Sequence, residues 1–333
     1  MKIAMFYSKD YEKPQFEAAN GQHGHQIDYF DAALNETTAP LAKGYDAVCI
    51  FVNDICDART VRILAEGGVK LVLCRSAGYN QVDLAAIKDH GLAVMRVPAY
   101  SPVSIAEHAV GMILSLVRNI HHQYNRVRNG NFSMDNLVGF TLAGRTAGIV
   151  GTGNIGRATA RILKGFGCTL VGSDPYPHDE MIALGMTYLE RDALFARSDV
   201  VVLTAPLTPE TRHMVNAESL KLFKKGSVLI NTGRGPLIDT RAAIAALKNL
   251  ETIWYLGIDV YEDEAGLFFE NLSSEIVQDE TLQLLTTFKN CLITPHTAWL
   301  TQEALMEIAE TTLGNATDFA AGRPAADRTV FMP

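Results

Sequence analysis

The chain has 333 residues, with 29 Lys+Arg against 37 Asp+Glu, a formal net charge of −8 at pH 7 and a pI near 5.6. This acidic balance argues against a nucleic-acid partner, since phosphate binding needs a clustered positive surface. A hydrophobic share of 48% with 20% charged residues argues against disorder.

The N-terminus places only residues 3–8 between Lys2 and Lys9, too short an apolar stretch for a secretion signal. The longest apolar runs, 47–52 and the Ser-interrupted 109–117, fall short of the ~20 residues of a spanning helix. Cys49, Cys56, Cys74, Cys168 and Cys291 form no CxxC pair, and an odd count suits a reducing compartment better than a disulfide framework. Metal-ligand spacing is missing, so no metal is expected. The reading is a cytoplasmic protein with no membrane partner and about two domains of ~100–200 residues each.

Short apolar runs alternate with helical-period segments from end to end. KIAMFYS (2–8), DAVCIFV (46–52), KLVLCRS (70–76) and LAVMRVP (92–98) read as strands, with helices near 10–23, 57–67 and 80–90. Nearly continuous apolar runs bounded by turn residues are what parallel strands covered on both faces look like. One long helix is expected from Ser104 to about Arg128, with Ile105, Ala109, Met112, Ile113, Leu116 and Val117 as its apolar stripe. Pro98 and Pro102 mark a domain boundary before it.

A second series follows at 145–151, 168–174, 199–206, 227–233, 253–260 and 290–296, with helices between the strands. Such alternation specifies a parallel sheet wound on both sides. A final helix spans Thr301 to about Phe319, and the pattern alone leaves open which domain it packs on. The tail 322–333 reads as loosely held.

The sharpest local signal is GIVGTGNIGRATARIL, in which a strand runs through Gly151, Gly153, Asn154, Ile155 and Gly156 into a helix. The first glycine makes the tight turn, the second admits a pyrophosphate to the backbone, and the third lets helix and strand pack closely. Asp174 ends the next strand, 18 residues beyond Gly156, where a carboxylate holds the adenosine ribose hydroxyls. A carboxylate there repels a 2′-phosphate, so the expected cofactor is NAD rather than NADP.

Three polar residues stand where later strands end: Arg234 between Gly233 and Gly235, Glu264 in DVYEDE, and His296 in LITPH. Singly they read equally well as a charged turn, a solvated acidic face and a strand cap. Jointly they supply what hydride transfer to a 2-oxo acid requires. An always-charged fork binds a carboxylate and polarises a carbonyl. A histidine exchanges the proton, and a neighbouring carboxylate favours its imidazolium form.

The strings GTGNIG, SDPYP, APLTPETRH, INTGRGPLID, GIDVYEDE and TPHTAWLT, in this order, resemble the D-isomer-specific 2-hydroxyacid dehydrogenase family. The likeness is greatest to its fermentative D-lactate dehydrogenases and covers residues 1–320. It implies an α/β fold of two doubly wound parallel-sheet domains. A flavodoxin-like catalytic domain would take 1–100 and 299–333, and a Rossmann nucleotide-binding domain 101–298. His296 would be the acid–base, Glu264 its carboxylate partner and Arg234 the substrate-binding cation. Asp259 would lie near the nicotinamide carboxamide, with Pro206, Thr211, Thr232 and Gly233 lining the cofactor cleft. Ser76, Ala77 and Gly78 would offer backbone N–H groups to the substrate carboxylate, with Tyr100 and Trp299 closing the pocket.

The resemblance implies NAD-dependent reduction of pyruvate to D-lactate and a homo-oligomer, dimer or tetramer, with the helix from Ser104 at its interface. Trp299 stands where many D-lactate dehydrogenases carry Phe, which bears on side-chain preference. Other readings are a dehydrogenase of D-glycerate or a bulkier D-2-hydroxy acid, and a non-catalytic NAD-sensing protein like the corepressors related to this family. Glu107-His108 invites a catalytic reading, against which a structural role is favoured.

Overall fold

A computed structural model describes all residues, 1–333, and the chain divides into two compact units, Met1–Ser101 with Leu300–Pro333, and Pro102–Trp299. In the first unit the elements run β1 (Lys2–Met5), α1 (Lys13–Asn20), β2 (Gln26–Tyr29), β3 (Ala47–Ile50), α2 (Ala58–Glu66), β4 (Leu71–Cys74), α3 (Leu84–His90) and β5 (Ala93–Arg96). The second unit contains α4 (Pro102–Val117), α5 (Ile120–Arg128), β6 (Thr146–Val150), α6 (Asn154–Gly165), β7 (Thr169–Ser173), α7 (Asp179–Ala183), β8 (Thr187–Tyr188) and α8 (Arg191–Arg197). It continues through β9 (Val200–Leu203), α9 (Ala217–Leu220), β10 (Ser227–Asn231), α10 (Thr240–Asn249), β11 (Ile253–Ile258), α11 (Glu280–Thr286) and β12 (Cys291–Ile293). The chain then returns to the first unit as α12 (Gln302–Ala320) and β13 (Thr329–Phe331).

The first unit's sheet has the order β13-β5-β4-β3-β1-β2. Five of its strands are parallel in the order of flavodoxin-like sheets. Helix α12 packs on α1, and the imidazole Nε2 of His25 lies 3.2 Å from the Leu313 carbonyl oxygen of α12. The tail, expected to be loose, instead adds β13 antiparallel to β5, so this sheet is not wholly parallel. An Arg328–Asp318 ion pair at 2.7 Å ties that strand to α12.

The second unit's sheet is fully parallel, in the order β12-β11-β10-β9-β6-β7-β8. Its strands are continuous apolar runs because both faces are covered. Val200 and Val202 of β9 point into the core shared with α4 and α6, while Val201 and Leu203 point into the opposite core. With all strands parallel, their carboxyl ends share one edge of the sheet. The strand order reverses between β6 and β9, and ligands of open α/β sheets bind at that switch point.

The long helix expected over 104–128 is instead two helices, α4 and α5, bent by 62°. The break falls at Asn119, which adopts the left-handed conformation at φ 54°. Asparagine tolerates that region better than other side chains with a Cβ. Its Nδ2 donates to the Leu137 carbonyl at 3.3 Å. No single helix is long and apolar enough to cross a membrane.

Candidate active site

The three glycines between β6 and α6 meet different surroundings. Gly151 has φ +89°, and a Cβ there would lie 2.6 Å from the backbone nitrogen of Ala205, across the switch point. A Cβ on Gly156 would overlap the carbonyl oxygen of Gly151. A Cβ on Gly153 would meet nothing within 4 Å. The first and third glycines are therefore demanded by the protein's own packing, whereas the second opens outward at the start of a 12-residue helix. Backbone N–H groups and the helix dipole together favour an anion there, and Asn154 and Ile155 supply the first turn.

Asp174 follows β7, and both its oxygens are tethered. Oδ2 accepts from the Thr152 backbone N–H at 2.6 Å and from its hydroxyl at 3.1 Å, and Oδ1 accepts from the Tyr176 N–H at 2.8 Å. Across the crevice, the Thr211 hydroxyl donates to the Pro206 carbonyl at 2.7 Å and fixes the turn after β9. Thr232, after β10, has a buried hydroxyl with no hydrogen-bond partner within the protein, and the Gly233 N–H donates to Asn231 Oδ1 at 3.0 Å. An open second glycine, a helix start, a fixed carboxylate and an unpartnered hydroxyl along one sheet edge fit a dinucleotide.

The candidate catalytic residues follow three neighbouring strands on that same edge. Arg234 comes after β10 and is exposed, with its guanidinium donating to the Gly233 carbonyl at 2.7 Å. A Cβ on Gly235 would overlap the Tyr261 carbonyl oxygen, so only glycine lets the β10 and β11 loops approach this closely. Glu264 follows β11, and its Oε1 lies 3.1 Å from Nδ1 of His296, which follows β12. Glu264 Oε2 accepts from the Tyr261 N–H at 3.1 Å. Burial pushes the Glu264 carboxyl up, but the His296 hydrogen bond and charge, the Tyr261 N–H and the Arg234 charge outweigh it. The carboxyl is held below its ordinary range.

His296 adopts a left-handed backbone, φ 56°, which costs about 1–2 kcal/mol for a residue with a Cβ. The Phe269 ring lies 5.4 Å from the imidazole, centroid to centroid. Trp299 is buried, and its indole N–H donates to the His296 carbonyl at 2.9 Å. Asp259, 1% exposed, accepts from the Thr294 hydroxyl at 2.6 Å and from the Thr297 and Ala298 N–H groups at 2.9 Å each. It grips the chain on both sides of His296.

Ser76, Ala77, Gly78 and Tyr100 lie in the first unit. The three carbonyls of the turn after β4 all accept internal donors: Ser76 from the Val97 N–H at 3.2 Å, Ala77 from Arg96 at 2.8 Å, and Gly78 from the Ser76 hydroxyl at 2.7 Å. The turn's N–H groups are the donors it has left to offer. Tyr100 is half-buried at the end of the first unit's main segment.

Some hydrogen bonds around this edge escape a sequence reading. Glu262, in an acidic run that reads as solvated, sits 2.5 Å from His213 Nε2 and accepts from the Thr240 hydroxyl at 3.1 Å. His108 of α4 reaches Thr294 at 3.0 Å and Asp259 at 3.5 Å. These partners are 49 and 186 residues apart, beyond any local pattern. A cavity of about 720 Å³ in the second unit lies elsewhere, between Arg126, Leu137, Trp254 and Lys289, and is lined by none of the candidate catalytic or cofactor-binding residues.

Residues 110–298 match the family model described as "D-isomer specific 2-hydroxyacid dehydrogenase, NAD binding domain". The chain belongs to the D-isomer-specific 2-hydroxyacid dehydrogenase family of NAD-dependent oxidoreductases. It is 46% identical to the D-lactate dehydrogenase of Escherichia coli over 330 residues, covering 99% of this chain and 100% of that protein. Its fold is similar to the pyruvate reductase of Chlamydomonas reinhardtii, with TM-score 0.95, 42% identity and 98% of each chain covered. It is also similar to the D-lactate dehydrogenase of Aquifex aeolicus complexed with NAD and lactic acid, with TM-score 0.84 and 30% identity over 99% of each chain.

Proposed function

We propose that the protein is an NAD-dependent D-lactate dehydrogenase that reduces pyruvate. The observation that carries this reading is the His296–Glu264 pair, beside Arg234, at the edge of the sheet that also presents the glycine loop. NADH, when bound, supplies the hydride for the carbonyl carbon. Arg234 binds the substrate carboxylate and draws electron density toward the carbonyl oxygen, an interaction that strengthens as charge develops there. His296, hydrogen-bonded to Glu264, gives its proton to that oxygen, and in the reverse direction takes it back. Asp174 binds the adenosine ribose, and the α6 start binds the pyrophosphate. Asp259 lies near the nicotinamide carboxamide, with Pro206, Thr211, Thr232 and Gly233 along the cofactor.

The first unit is the substrate domain in this reading. Ser76, Ala77, Gly78 and Tyr100 of this unit are substrate-binding residues in the same reading, as is Trp299. The anchored indole of Trp299 favours a small substituent such as the methyl group of pyruvate. The test is loss of NADH absorbance with a panel of 2-oxo acids, run in parallel with NADPH. Highest kcat/KM for pyruvate with NADH supports the reading, and preference for a bulky 2-oxo acid or no turnover at all rejects it.

The protein works as a homo-oligomer in the cytoplasm. Support for the first comes from the segment around α5, where Tyr124, Phe132, Met134 and Val138 are 62%, 77%, 84% and 91% exposed. Apolar exposure of this concentration marks a surface that another chain covers. Support for the second is that all five cysteines are buried free thiols. Light scattering on eluting protein tests the oligomer, and cell fractionation tests the location.

A further inference from the structure

The acid–base histidine carries a left-handed backbone, so something must hold it there. Asp259 is that clamp, and its hydrogen bonds fix where each proton lies. Both its oxygens accept from backbone N–H groups, Oδ1 from Thr297 and Oδ2 from Ala298, so both serve as acceptors here. At 2.6 Å, the single proton of the Thr294 hydroxyl is therefore committed to Asp259 Oδ1. Only a lone pair remains on that hydroxyl for His108 Nε2, 3.0 Å away. His108 must then carry a proton on Nε2 and donate it, and the same N–H points toward Asp259 Oδ1 at 3.5 Å.

We propose that His108 is a positioning residue for His296, acting through Thr294 and Asp259 as a fixed Nε2–H donor from the rigid helix α4. Thr294 is the link because its own carbonyl accepts the His296 N–H at 3.0 Å, so orienting Thr294 orients the catalytic imidazole. The neutral tautomer and the imidazolium of His108 both supply the donor, so the device works whatever the charge of that ring. Helix α4 suits the task, since Ala109, Met112, Ile113 and Leu116 bury it against the sheet core. The charged groups facing the pair of histidines are Asp259 at His108, and Glu264 with Arg234 beyond it at His296. Loss of the donor lets the 294–298 turn relax and loosens the His296–Glu264 contact.

The inference rests on His296 as the acid–base, and the experiment separates the two. His108→Leu and Thr294→Val each remove the link, and His108→Gln replaces the donor at the same reach. The expected result for the first two is a fall in kcat of roughly tenfold to a hundredfold, as for small misplacements of a catalytic group. KM for NADH stays within about twofold, because uniform binding is untouched. His108→Gln restores most of kcat. Wild-type kcat in both His108→Leu and Thr294→Val overturns the inference, as does a Gln variant no better than Leu. If His296→Gln is inactive while His108→Leu behaves as wild type, the proposal for His108 fails and the acid–base reading stands. If His296→Gln is itself active, that reading fails first.

Discussion

Nδ1 of His296 lies 3.1 Å from Oε1 of Glu264, and the two residues are brought together from the loops after adjacent strands β12 and β11. The contact engages Nδ1 and leaves Nε2 for the substrate oxygen in the proposed function. The pair has a directional consequence for pH. Reduction of a carbonyl consumes a proton and uses imidazolium, so it should fade as pH rises, whereas oxidation of a hydroxyl releases one, uses neutral imidazole and should improve. Glu264 is held below its ordinary 4.5, so its carboxylate persists at neutral pH and is lost as pH falls through that lowered value. Rates measured in both directions across pH should give oppositely sloped alkaline limbs, and Glu264→Gln should lower reduction roughly tenfold or more. Parallel limbs in the two directions would argue against an imidazole acid–base.

The glycine loop separates packing from binding. Gly156→Ala forces a Cβ onto the Gly151 carbonyl, and overpacking of that kind costs about 1–3 kcal/mol in stability. Gly153→Ala meets no protein atom, so its thermal midpoint should stay near wild type while NADH binding weakens. Calorimetric melting and NADH titration on both variants check this. Unimpaired NADH binding in Gly153→Ala would mean that the pyrophosphate does not approach there.

In the proposed function, cofactor choice turns on Asp174. Its carboxylate is fixed by Thr152 and Tyr176, so it cannot swing away from an added 2′-phosphate. Asp174→Ser should raise the ratio of kcat/KM for NADPH over NADH by roughly tenfold or more, about 1.4 kcal/mol of differential binding. An unchanged ratio would place the ribose elsewhere.

Asp199 holds the second unit together in a charge-dependent way. Burial pushes its carboxyl up, but Lys224 at 2.5 Å, the Thr146 N–H at 2.8 Å and Arg145 at 3.7 Å outweigh burial and hold it below 3.8. A carboxyl held low contributes stability above its unfolded value and loses it as pH falls through its folded value. Asp199→Asn should therefore cost about 1 kcal/mol at neutral pH, since both cations are partly exposed. The difference from wild type should vanish in strong acid. Urea melts at pH 7 and below pH 3 would show it, and an equal deficit at both would mean that the ion pairs contribute nothing.

Much of this architecture can be read from residues alone, for identifiable reasons. Strands such as β9, apolar on both faces, announce a sheet covered by helices on both sides. Edge strands do not: β2 (QIDY) and the two-residue β8 pair along one side only and carry polar residues. Strand β13 lies in a tail whose composition suggested no structure, and its partner β5 is over 200 residues away. The break between α4 and α5 rests on one residue, Asn119, taking a left-handed conformation inside a continuous helical pattern. The placement of Arg234, Glu264 and His296 on one edge was legible, because each follows a strand in a parallel series. The roles of His108, Thr294 and Glu262 were not, because each depends on a hydrogen bond formed only when distant segments fold together.

The measurement that bears most directly on the account is single-turnover reduction of pyruvate by NADH bound to wild type and to His296→Gln, with NADH affinity determined on the same samples. Proton donation by His296 predicts that the variant binds NADH as wild type does but transfers hydride at least roughly a hundredfold more slowly. Hydride transfer at the wild-type rate with normal NADH binding would contradict it.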